Sequence, residues 1–587
     1  MSVLSNKIRG ILSTWCETML SLQIHSDNRR LNGALMCPAC GKIHGRCFEA
    51  MYPFMEMAAL TGEERWAKAA EDLFEWSENT VSLPSGGYIN DIDSDWEGIT
   101  VFACIAMLDA LEGYSSLMGS DFFSRLHDRA RAAAEYLYSN DALKLKNTNY
   151  PVTAALALYR AGKYFSDSRY IRKSEEYERI IYSVFTPTNT VFGEGRSRDM
   201  RSRKGLLAVD IGYNAEETLP SIAHLGVLKG DARLIGLAAD GFRSALDFML
   251  SDGGWDNSFG TRNFKWTYWG SRTSDGAAEA LLMLSGYDRS FRTAAAKNIE
   301  LMGKCTYDGL LAGGPDYKGA GQPVCVHHSF THAKVLAGIS AKGLADDMAD
   351  GLTAALPRYE APGLRYKEDT DSYVFSSSYY SATVTAYDWP YMKGGHISGG
   401  MLSLLEFPGY GPVIASSMGT YFMKERNNMQ VPYGRLRHEC LDFRLERNEN
   451  GTLFSSIFCD TARLDRLGDY SIKASGILMS ENAEDTADDS MYSVVYSFSD
   501  DGVLITAETD DMLVVPLIGQ CMESCSGHSI VLERNGVSVG FDASVCSELR
   551  LPYGTEPVYN LVPGFMAIRA EVMPLNGVIE LSISRRH

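Results

Sequence analysis

Apolar residues recur every three or four positions over roughly the first 355 residues, and short turns rich in Gly, Asn, Asp and Pro separate the periodic stretches. This spacing predicts amphipathic helices. Residues 48–80, for example, predict two helices that meet at Thr61-Gly62. We expect roughly a dozen helices, arranged as successive antiparallel pairs.

The pattern changes after about residue 360. Stretches such as 372–388, 492–509 and 577–585 alternate apolar and polar residues or are rich in β-branched ones, and Gly, Asp and Asn punctuate them. This texture predicts strands joined by turns. The last ~220 residues therefore predict an antiparallel β region, most simply a sandwich.

Six helical hairpins that close into a ring form an (α/α)6 toroid, whose inner helices meet at a pocket and whose loops line its mouth. We therefore predict an (α/α)6 toroid over residues 1–360 and an antiparallel β-sandwich over residues 361–587. An open superhelical array is the alternative, but the sequence shows no fixed-length repeat that would support it. Most of the unusual residues fall in the predicted loops at 84–98, 144–151, 189–213, 252–272 and 313–328.

Length and composition agree with two globular domains. At 587 residues the chain is longer than a single core supports, and 45 % of its residues are hydrophobic. A net charge of −19 argues against a nucleic-acid partner, but it leaves room for an acidic glycan in a locally basic pocket. No run of about 18 apolar residues is present, so we expect no membrane partner. The sequence does not define an oligomeric state.

The first 24 residues predict an amphipathic helix, because Asn6, Lys7, Arg9 and Glu17 interrupt the apolar positions. This differs from the unbroken apolar stretch of a secretion signal. We expect a cytoplasmic protein as the sequence is written, and a periplasmic or secreted one if a leader has been removed. Twelve cysteines in a chain of this length do not indicate a disulfide scaffold.

The segment from Asp252 to Glu279 concentrates aromatic and cationic residues between glycines. Flat aromatic faces stack on sugar rings, and cations neutralise a uronate carboxylate. A tyrosine beside a cation can accept or donate a proton. The alternative is a structural loop lined by aromatics. The candidates for substrate binding here are Arg262, Lys265, Trp266 and Trp269.

Four possible zinc ligands lie close together in the segment Cys37-Pro-Ala-Cys40-Gly-Lys-Ile-His44-Gly-Arg46-Cys47. Cys37, Cys40, His44 and Cys47 could form a tetrahedral structural zinc site. In the alternative interpretation, His44 and Arg46 face the pocket and bind substrate, while the cysteines pack.

Two further segments place polar residues at predicted helix starts. Asn149 precedes Tyr150-Pro151, where it can cap the helix or hydrogen-bond a substrate carboxylate. Tyr213 lies between Asp210 and the pair Glu216-Glu217, whose carboxylates suit a helix N-terminus. Capping explains the acidic residues but not Tyr213.

Histidines form two more candidates. His328 and His332 lie one helical turn apart, but the glutamate of an HExxH zinc motif is absent between them, so we favour His328 as an acid–base or substrate group. His396 stands in a glycine-rich segment that could reach the toroid's pocket from the β region. An exposed hairpin turn explains it equally well.

No phosphate-binding loop, dinucleotide fingerprint, nucleophile elbow or kinase loop is present in the sequence. The absence of these motifs argues against most reactions that use a nucleotide or a cofactor. What remains fits a carbohydrate-active site that needs no cofactor for catalysis, with the structural zinc as the one possible exception.

With these motifs, the chain resembles the (α/α)-toroid polysaccharide lyases, which include heparinase and chondroitin lyases. The stretches CPACGKIHGRC, GITVFACIAMLDALE and HHSFTHAK look most similar to the lyases that remove L-rhamnose from D-glucuronate in arabinogalactan-proteins. The resemblance covers most of the chain. It implies β-elimination on a glucuronate-containing glycan.

In lyases of this type an Asn or Arg neutralises the uronate carboxylate, a Tyr or His removes the C5 proton, and a Tyr often protonates the leaving O4. The resemblance makes Tyr268, Arg272, His328, Asn257 and Tyr213 the catalytic candidates. Asn257 stands where chondroitin lyases usually have His. We prefer Tyr268 over Tyr213, because Arg262, Lys265 and Arg272 lie near Tyr268 in sequence and would lower a pKa that is ordinarily ~10.

Two other functions stay open. The segment WGSRTSDGAAEALL also resembles a loop of unsaturated glucuronyl hydrolases, which have no β domain of this size. A hydrolase would need two carboxyl groups at the pocket, for which Asp210, Asp252, Asp256 and Asp275 are the loop candidates. A non-catalytic protein that binds acidic glycans is the third possibility.

Overall fold

A computed structural model describes residues 2–346, 354–390, 397–416, 440–481, 485–525, 527–560 and 562–586. The helices are, in chain order, α1 (Val3–Ser21), α2 (Met51–Thr61), α3 (Glu64–Thr80), α4 (Thr100–Tyr114), α5 (Ser120–Ser139), α6 (Asn149–Tyr164), α7 (Ser168–Ile181), α8 (Ile211–Tyr213), α9 (Leu219–Lys229), α10 (Ala232–Ala245), α11 (Ala278–Met283), α12 (Ser290–Lys304), α13 (Val326–Ala341) and α14 (Pro357–Glu360). A 3-10 helix covers Gly45–Ala50, and a π-helical turn, Asn214–Thr218, joins α8 to α9.

Twelve of these helices form two concentric rings. The inner helices α2, α4, α6, α9, α11 and α13 each contact the next, and α13 contacts α2, so the inner ring is closed. Each inner helix also pairs with an outer one, in the pairs α2–α3, α4–α5, α6–α7, α9–α10, α11–α12 and α13–α1. Ring closure excludes the open superhelical array.

The two rings differ in sequence as their environments require. The outer helix α3 buries Trp66, Ala69 and Leu73 along one stripe and exposes charged residues on the other side. The inner helix α4 is apolar on nearly all sides and is packed between α2 and α6. Among the described helices, the stretch Thr100–Leu117 is apolar and long enough to cross a membrane by composition alone, and 61 % of it is buried. Burial in the inner ring accounts for that composition.

The strands are, in chain order, β1 (Trp266–Thr267), β2 (Gly270–Ser271), β3 (Thr306–Tyr307), β4 (Leu310–Leu311), β5 (Gly363–Lys367), β6 (Ser372–Ser376), β7 (Ser381–Thr385), β8 (Met401–Phe407), β9 (Gly411–Ala415), β10 (Arg444–Glu449), β11 (Thr452–Ser455), β12 (Arg463–Gly468), β13 (Ser471–Ser480), β14 (Thr486–Phe498), β15 (Gly502–Glu508), β16 (Met512–Ile518), β17 (Gln520–Cys525), β18 (Ser529–Arg534), β19 (Val537–Val545), β20 (Glu548–Arg550), β21 (Val558–Asn560), β22 (Phe565–Met573) and β23 (Val578–Arg586). The pairs β1–β2 and β3–β4 are small hairpins in loops of the toroid.

Strands β5 to β9 form a five-stranded antiparallel sheet in sequence order, and β10 to β23 form a fourteen-stranded antiparallel sheet. In β13 the residues Ile472, Ala474 and Leu478 point into the core shared by the two sheets. The predicted toroid followed by an antiparallel β-sandwich is confirmed. We propose that the domain boundary follows residue 360, because α14 ends at Glu360 and β5 begins at Gly363.

The toroid and the β-sandwich share a buried interface. Apolar residues from the second half of the chain, including Val374, Tyr387 and Phe565, belong to the same core as the helices. Arg358 is fully buried there. Its guanidinium donates to Asp247 O at 3.1 Å and to Thr383 Oγ1 at 3.0 Å, and it lies 3.9 Å from Asp256 Oδ2. One cation thus bridges the two regions.

We expect Arg358→Met to lower the free energy of unfolding by roughly 3–5 kcal/mol, because Asp256 would keep a buried charge without its cation. The urea midpoint, followed by tryptophan fluorescence, measures the change. Arg65→Met is the control, since the ion pairs of Arg65 with Glu17 and Glu63 are exposed and their loss should shift the midpoint little. Equal midpoints for the two variants would contradict the bridging role of Arg358.

Candidate active site

A cleft of about 670 Å³ opens at the N-terminal ends of α4, α6 and α13. We call it the polar cleft; its walls are formed by Arg46, Asn90, Asp91, Asp93, Ser94, Asp95, Trp96, Ile99, Phe102, Leu145, Lys146, Asn147, Asn149, Tyr150, Ser197, Tyr213, Glu217, Arg262, Lys265, Thr273 and His327. Its size is typical of a ligand site, and three converging helix N-termini favour a bound anion.

Positive charge lies inside the polar cleft and negative charge at its mouth. Arg46, Arg262 and Lys265 are each at most 6 % exposed, whereas Asp93 and Asp95 are exposed to solvent. Glu217 reaches the cleft from within, and burial and the neighbouring Asp275 raise its pKa well above the ordinary value. This shift favours the neutral form of Glu217, so less negative charge faces Arg46, Arg262 and Lys265.

Tyr213 is the aromatic residue on which these cations converge. The guanidinium carbon of Arg262 lies 3.7 Å from the centre of the Tyr213 ring, and Lys265 Nζ lies 5.7 Å from it. The Tyr213 hydroxyl and Lys265 Nζ both hydrogen-bond Thr273 Oγ1, the latter at 3.2 Å. Positive charge at these distances stabilises a phenolate. The arrangement suits a tyrosine that loses and regains a proton.

Asp210 fixes Tyr213 and Arg262 relative to each other. One of its oxygens accepts from the Tyr213 backbone N–H at 3.0 Å and caps α8, and the other accepts from the Arg262 backbone N–H at 2.7 Å. Asn257 donates to the same carboxylate, while its own oxygen accepts from Ile211 N at 2.9 Å. A Cβ at position 260 would lie 2.6 Å from Asp210 and 2.1 Å from Asn257, so only glycine fits there.

Glu194 links Arg262 to Asn149 on the next wall. This fully buried carboxylate accepts from the Asn149 backbone N–H at 2.7 Å and from Arg262 Nη1 at 3.1 Å. Burial raises the pKa of Glu194 to about 7, although Arg262 opposes that shift. The side-chain oxygen of Asn149 is buried in the cleft wall and has no hydrogen-bond partner among the described residues. Buried polar atoms of this kind usually have a partner, so this oxygen can accept a hydrogen bond from a ligand hydroxyl.

His327 presents a neutral imidazole to the polar cleft. It is 2 % exposed, and neither ring nitrogen has a hydrogen-bond partner in the described part of the chain. Burial and the nearby charge of Arg46 and His44 lower the pKa of His327 well below its ordinary value. Its ring is held by Phe330, which stacks on it at 4.8 Å. An unprotonated nitrogen at this position can accept a proton.

Arg46 belongs to a buried ion network beneath the cleft. It binds Glu49 with two hydrogen bonds of 2.6 and 2.8 Å and Asp275 with one of 3.0 Å. Lys334 from α13 pairs with the same two carboxylates. Arg46 also donates to the Thr273 carbonyl at 3.0 Å, so the network holds the residue that contacts Tyr213.

The structure thus brings five of the predicted site residues together at the polar cleft: Arg46, Asn149, Tyr213, Arg262 and Lys265. Sequence reasoning missed His327, Tyr150, Trp96 and Thr273. His327 could have been considered, because it is the residue next to the predicted His328. The two differ only in the side of the helix on which they lie. Trp96 and Tyr150 form an edge-to-face pair at 5.4 Å, and that contact joins two distant loops.

Tyr268 lies away from the polar cleft, next to the β-sandwich. Its hydroxyl donates to Asp252 at 2.9 Å, its backbone N–H donates to Pro563 O at 3.2 Å, and its ring packs against Phe565. Burial and the carboxylates of Asp252 and Glu406 raise the pKa of Tyr268 well above its ordinary value. The prediction that neighbouring cations lower this pKa is therefore wrong, and so is the reason for preferring Tyr268 over Tyr213.

Several other predicted residues are packed inside the toroid and do not line the polar cleft. Arg272 is fully buried and donates to Tyr317 at 2.9 Å. The indoles of Trp266 and Trp269 donate to the carbonyls of Trp255 and Ala312 at 2.9 and 2.7 Å. His328 is buried against Trp269, with a centroid distance of 5.7 Å. His396 lies outside the described residues.

The predicted zinc ligands separate into two groups. Cys37 and His44 lie together with Cys325, a residue far away in sequence, and Cys40 lies 3.5 Å from His44 Nε2. Cys47 is buried in the 3-10 helix and does not belong to that group. The ring of His44 packs 5.1 Å from that of His327, behind the cleft wall.

The loop candidates for a hydrolytic carboxyl pair are all engaged in contacts of their own. Asp210 caps α8, Asp252 accepts from Tyr268, Asp256 accepts from Thr383 at 2.6 Å, and Asp275 binds Arg46 and Lys334.

Comparison with known proteins gives matches along the whole chain. Residues 12–358 match the family model "Ulvan lyase N-terminal domain", and residues 364–585 match "Ulvan lyase C-terminal domain". A broad-specificity ulvan lyase of Formosa agariphila is 35 % identical over 591 aligned positions, which cover 97 % of this chain and 91 % of that protein.

Among solved structures, a chondroitin AC lyase of Streptomyces coelicolor A3 superposes with a TM-score of 0.55 at 12 % identity, covering 100 % of this chain and 80 % of the other. Heparinase III is also similar, with a TM-score of 0.46 at 11 % identity over 91 % of this chain and 76 % of the other. At such low identity the chondroitin AC lyase match shows a shared fold.

The raised pKa of Glu194 generates a prediction about stability. With a pKa of about 7 in the folded chain and 4.5 ordinarily, the folded chain holds a proton that the unfolded chain releases. The free energy of unfolding therefore falls as the pH rises from about 4.5 to about 7 and then levels off. Relative to Glu194→Gln, which lacks this titration, the wild type should lose roughly 3 kcal/mol across that interval. Urea midpoints of both proteins at several pH values measure it, and a difference that does not change with pH would contradict it.

Proposed function

The chain belongs to the ulvan lyase family and is a polysaccharide lyase, and on that basis we propose that it cleaves ulvan by β-elimination at a uronate held in the polar cleft. Ulvan contains glucuronate and rhamnose. The observation that carries the proposal is the position of the Arg262 guanidinium, 3.7 Å from the centre of the Tyr213 ring in the cleft wall.

β-Elimination begins with removal of the C5 proton, and the electron pair left on C5 is shared with the uronate carboxylate. The carboxylate must be neutralised for that charge to develop. Lys265 supplies a positive charge next to Tyr213, and Asn149, another residue of the cleft wall, can donate from its side-chain amide nitrogen. The N-termini of α4, α6 and α13 add to the positive potential. In this proposal these groups bind the carboxylate and hold C5 at Tyr213.

Tyr213 carries the proton in this proposal. As a phenolate stabilised by Arg262 and Lys265 it takes the C5 proton, the C4–O bond breaks, and the C4=C5 double bond forms. In glucuronate the C5 proton and O4 lie on the same face of the ring, so Tyr213 can return its proton to the leaving oxygen. Thr273 orients the hydroxyl throughout. His327, neutral and without a hydrogen-bond partner among the described residues, is a second proton acceptor for a uronate whose C5 proton points the other way.

The sugar that leaves C4 together with O4 is, in our proposal, rhamnose. The sequence resemblance predicts cleavage of the same rhamnose–glucuronate bond at the rhamnose caps of arabinogalactan-proteins. We therefore also propose these caps as substrates. The reaction at C4 and C5 is identical on both substrates. They differ only in what occupies the cleft beyond the uronate.

Incubation with ulvan should therefore produce oligosaccharides with the ultraviolet absorbance of a conjugated C4=C5 double bond. Arabinogalactan-protein, assayed in parallel, should release free rhamnose together with the same chromophore if its caps are also substrates. Mass spectrometry separates elimination from hydrolysis, because a hydrolysed product carries an additional water. Cleavage of ulvan to saturated products would overturn the proposal and support the hydrolase.

We expect Tyr213→Phe to reduce kcat on ulvan by ~10²–10⁴-fold, since it removes the proton carrier and keeps the ring beneath Arg262. KM should change little, because the substituted hydroxyl acts on the reacting atoms. Tyr268→Phe is the matched control: it removes the hydroxyl of another buried tyrosine in the neighbouring loop and should leave kcat close to the wild-type value. A large loss in Tyr268→Phe and none in Tyr213→Phe would reverse the assignment.

A further inference from the structure

Three cysteines and a histidine converge behind the wall of the polar cleft. Cys37 and Cys40 lie in a tight turn in which Gly41, with φ +62°, donates its N–H to Cys37 O. His44 follows on the returning segment, and Cys325 is the residue that precedes α13. Cys37, His44 and Cys325 are buried, and their ligand atoms all lie within 4.8 Å of one another. We call these three residues and Cys40 the cysteine cluster.

Two separations in the cysteine cluster, one between Cys37 and Cys325 and one between Cys40 and His44, match those of a tetrahedral metal site. Two sulfurs bound to one zinc at ~2.3 Å lie ~3.8 Å apart, and a bound sulfur and a bound imidazole nitrogen lie ~3.6 Å apart. The two sulfurs of Cys37 and Cys325 are 3.7 Å apart, and Cys40 Sγ is 3.5 Å from His44 Nε2. A disulfide between Cys37 and Cys325 would require a separation of ~2.05 Å instead.

We propose that the cysteine cluster binds one structural Zn²⁺ through Cys37, Cys40, Cys325 and Nε2 of His44. Soft thiolates and an imidazole in a closed set of four are the ligands that zinc prefers in structural sites. Cys47, which the spacing of the sequence motif also offers, takes no part. The metal leaves no open position for substrate, so its role is to hold the fold.

The site would join two parts of the chain that supply the cleft. The turn that carries Cys37 and Cys40 leads directly to Arg46, and Cys325 leads into α13, whose second residue is His327. The contact between the rings of His44 and His327, at 5.1 Å, carries this restraint to the cleft wall. Zinc at the cysteine cluster therefore positions His327 and the buried ion network of Arg46 without touching a sugar.

Zinc analysis of protein purified without chelators tests the proposal. The wild type should contain about one zinc per chain, and Cys37→Ser and Cys325→Ser should lose it. Cys47→Ser is the matched control, because it removes a buried thiol from the same segment and should retain the metal. Zinc retained in Cys325→Ser but lost in Cys47→Ser would overturn the ligand set.

The wild type alone also decides the question if a variant does not fold. Exchange with Co²⁺ should give the visible d–d bands of a tetrahedral thiolate site, and a chelator should make Cys37, Cys40 and Cys325 newly reactive to an alkylating reagent in peptide mass maps. Absence of metal both after purification and after dialysis against Zn²⁺, or a Cys37–Cys325 disulfide in the mass map, would overturn the proposal.

Discussion

Charged groups buried inside the helical ring must be paired, and this requirement positions most of the site. An isolated buried charge costs several kcal/mol, so Arg46, Glu49, Asp275 and Lys334 are stable only when they come together. They come from the 3-10 helix after the cysteine turn, the loop after β2 and the inner helix α13. Their pairing fixes the loop that carries Thr273, and Thr273 in turn contacts both the hydroxyl of Tyr213 and the ammonium of Lys265.

Most of the fold could be predicted because each ring and sheet has its own pattern. Outer helices such as α3 show a single apolar stripe, inner helices such as α4 are apolar all round, and strands such as β13 alternate. Those local patterns do not say which helix closes the ring. Closure depends on the contact of α13 with α2 and α1, which are distant in sequence.

The candidate site could be predicted only in part, because the sequence does not show which side of a loop faces the cleft. The charge of Arg262 and Lys265 identifies them as site residues. The neighbouring Trp266 and Trp269 are buried in the core, but in sequence a buried tryptophan looks the same as one that stacks on a sugar. His327 and His328 differ by a rotation of about 100° around the helix, which only the position of α13 in the ring resolves. The proximity of Cys325 to Cys37 is likewise a product of the closed ring.

The loop of residues 252–271 makes different contacts on its two sides. One brings Arg262 and Lys265 to Tyr213, and the other rests on Pro563 and Phe565 of the β-sandwich through Tyr268. The helical and β regions are therefore not exchangeable modules. A chimaera that joined this toroid to the sheets of a relative would keep every residue of the cleft, yet it would change the surface against which its cationic loop is packed. Residues around Pro563, which lie outside the polar cleft, therefore support the loop that brings Arg262 and Lys265 to it.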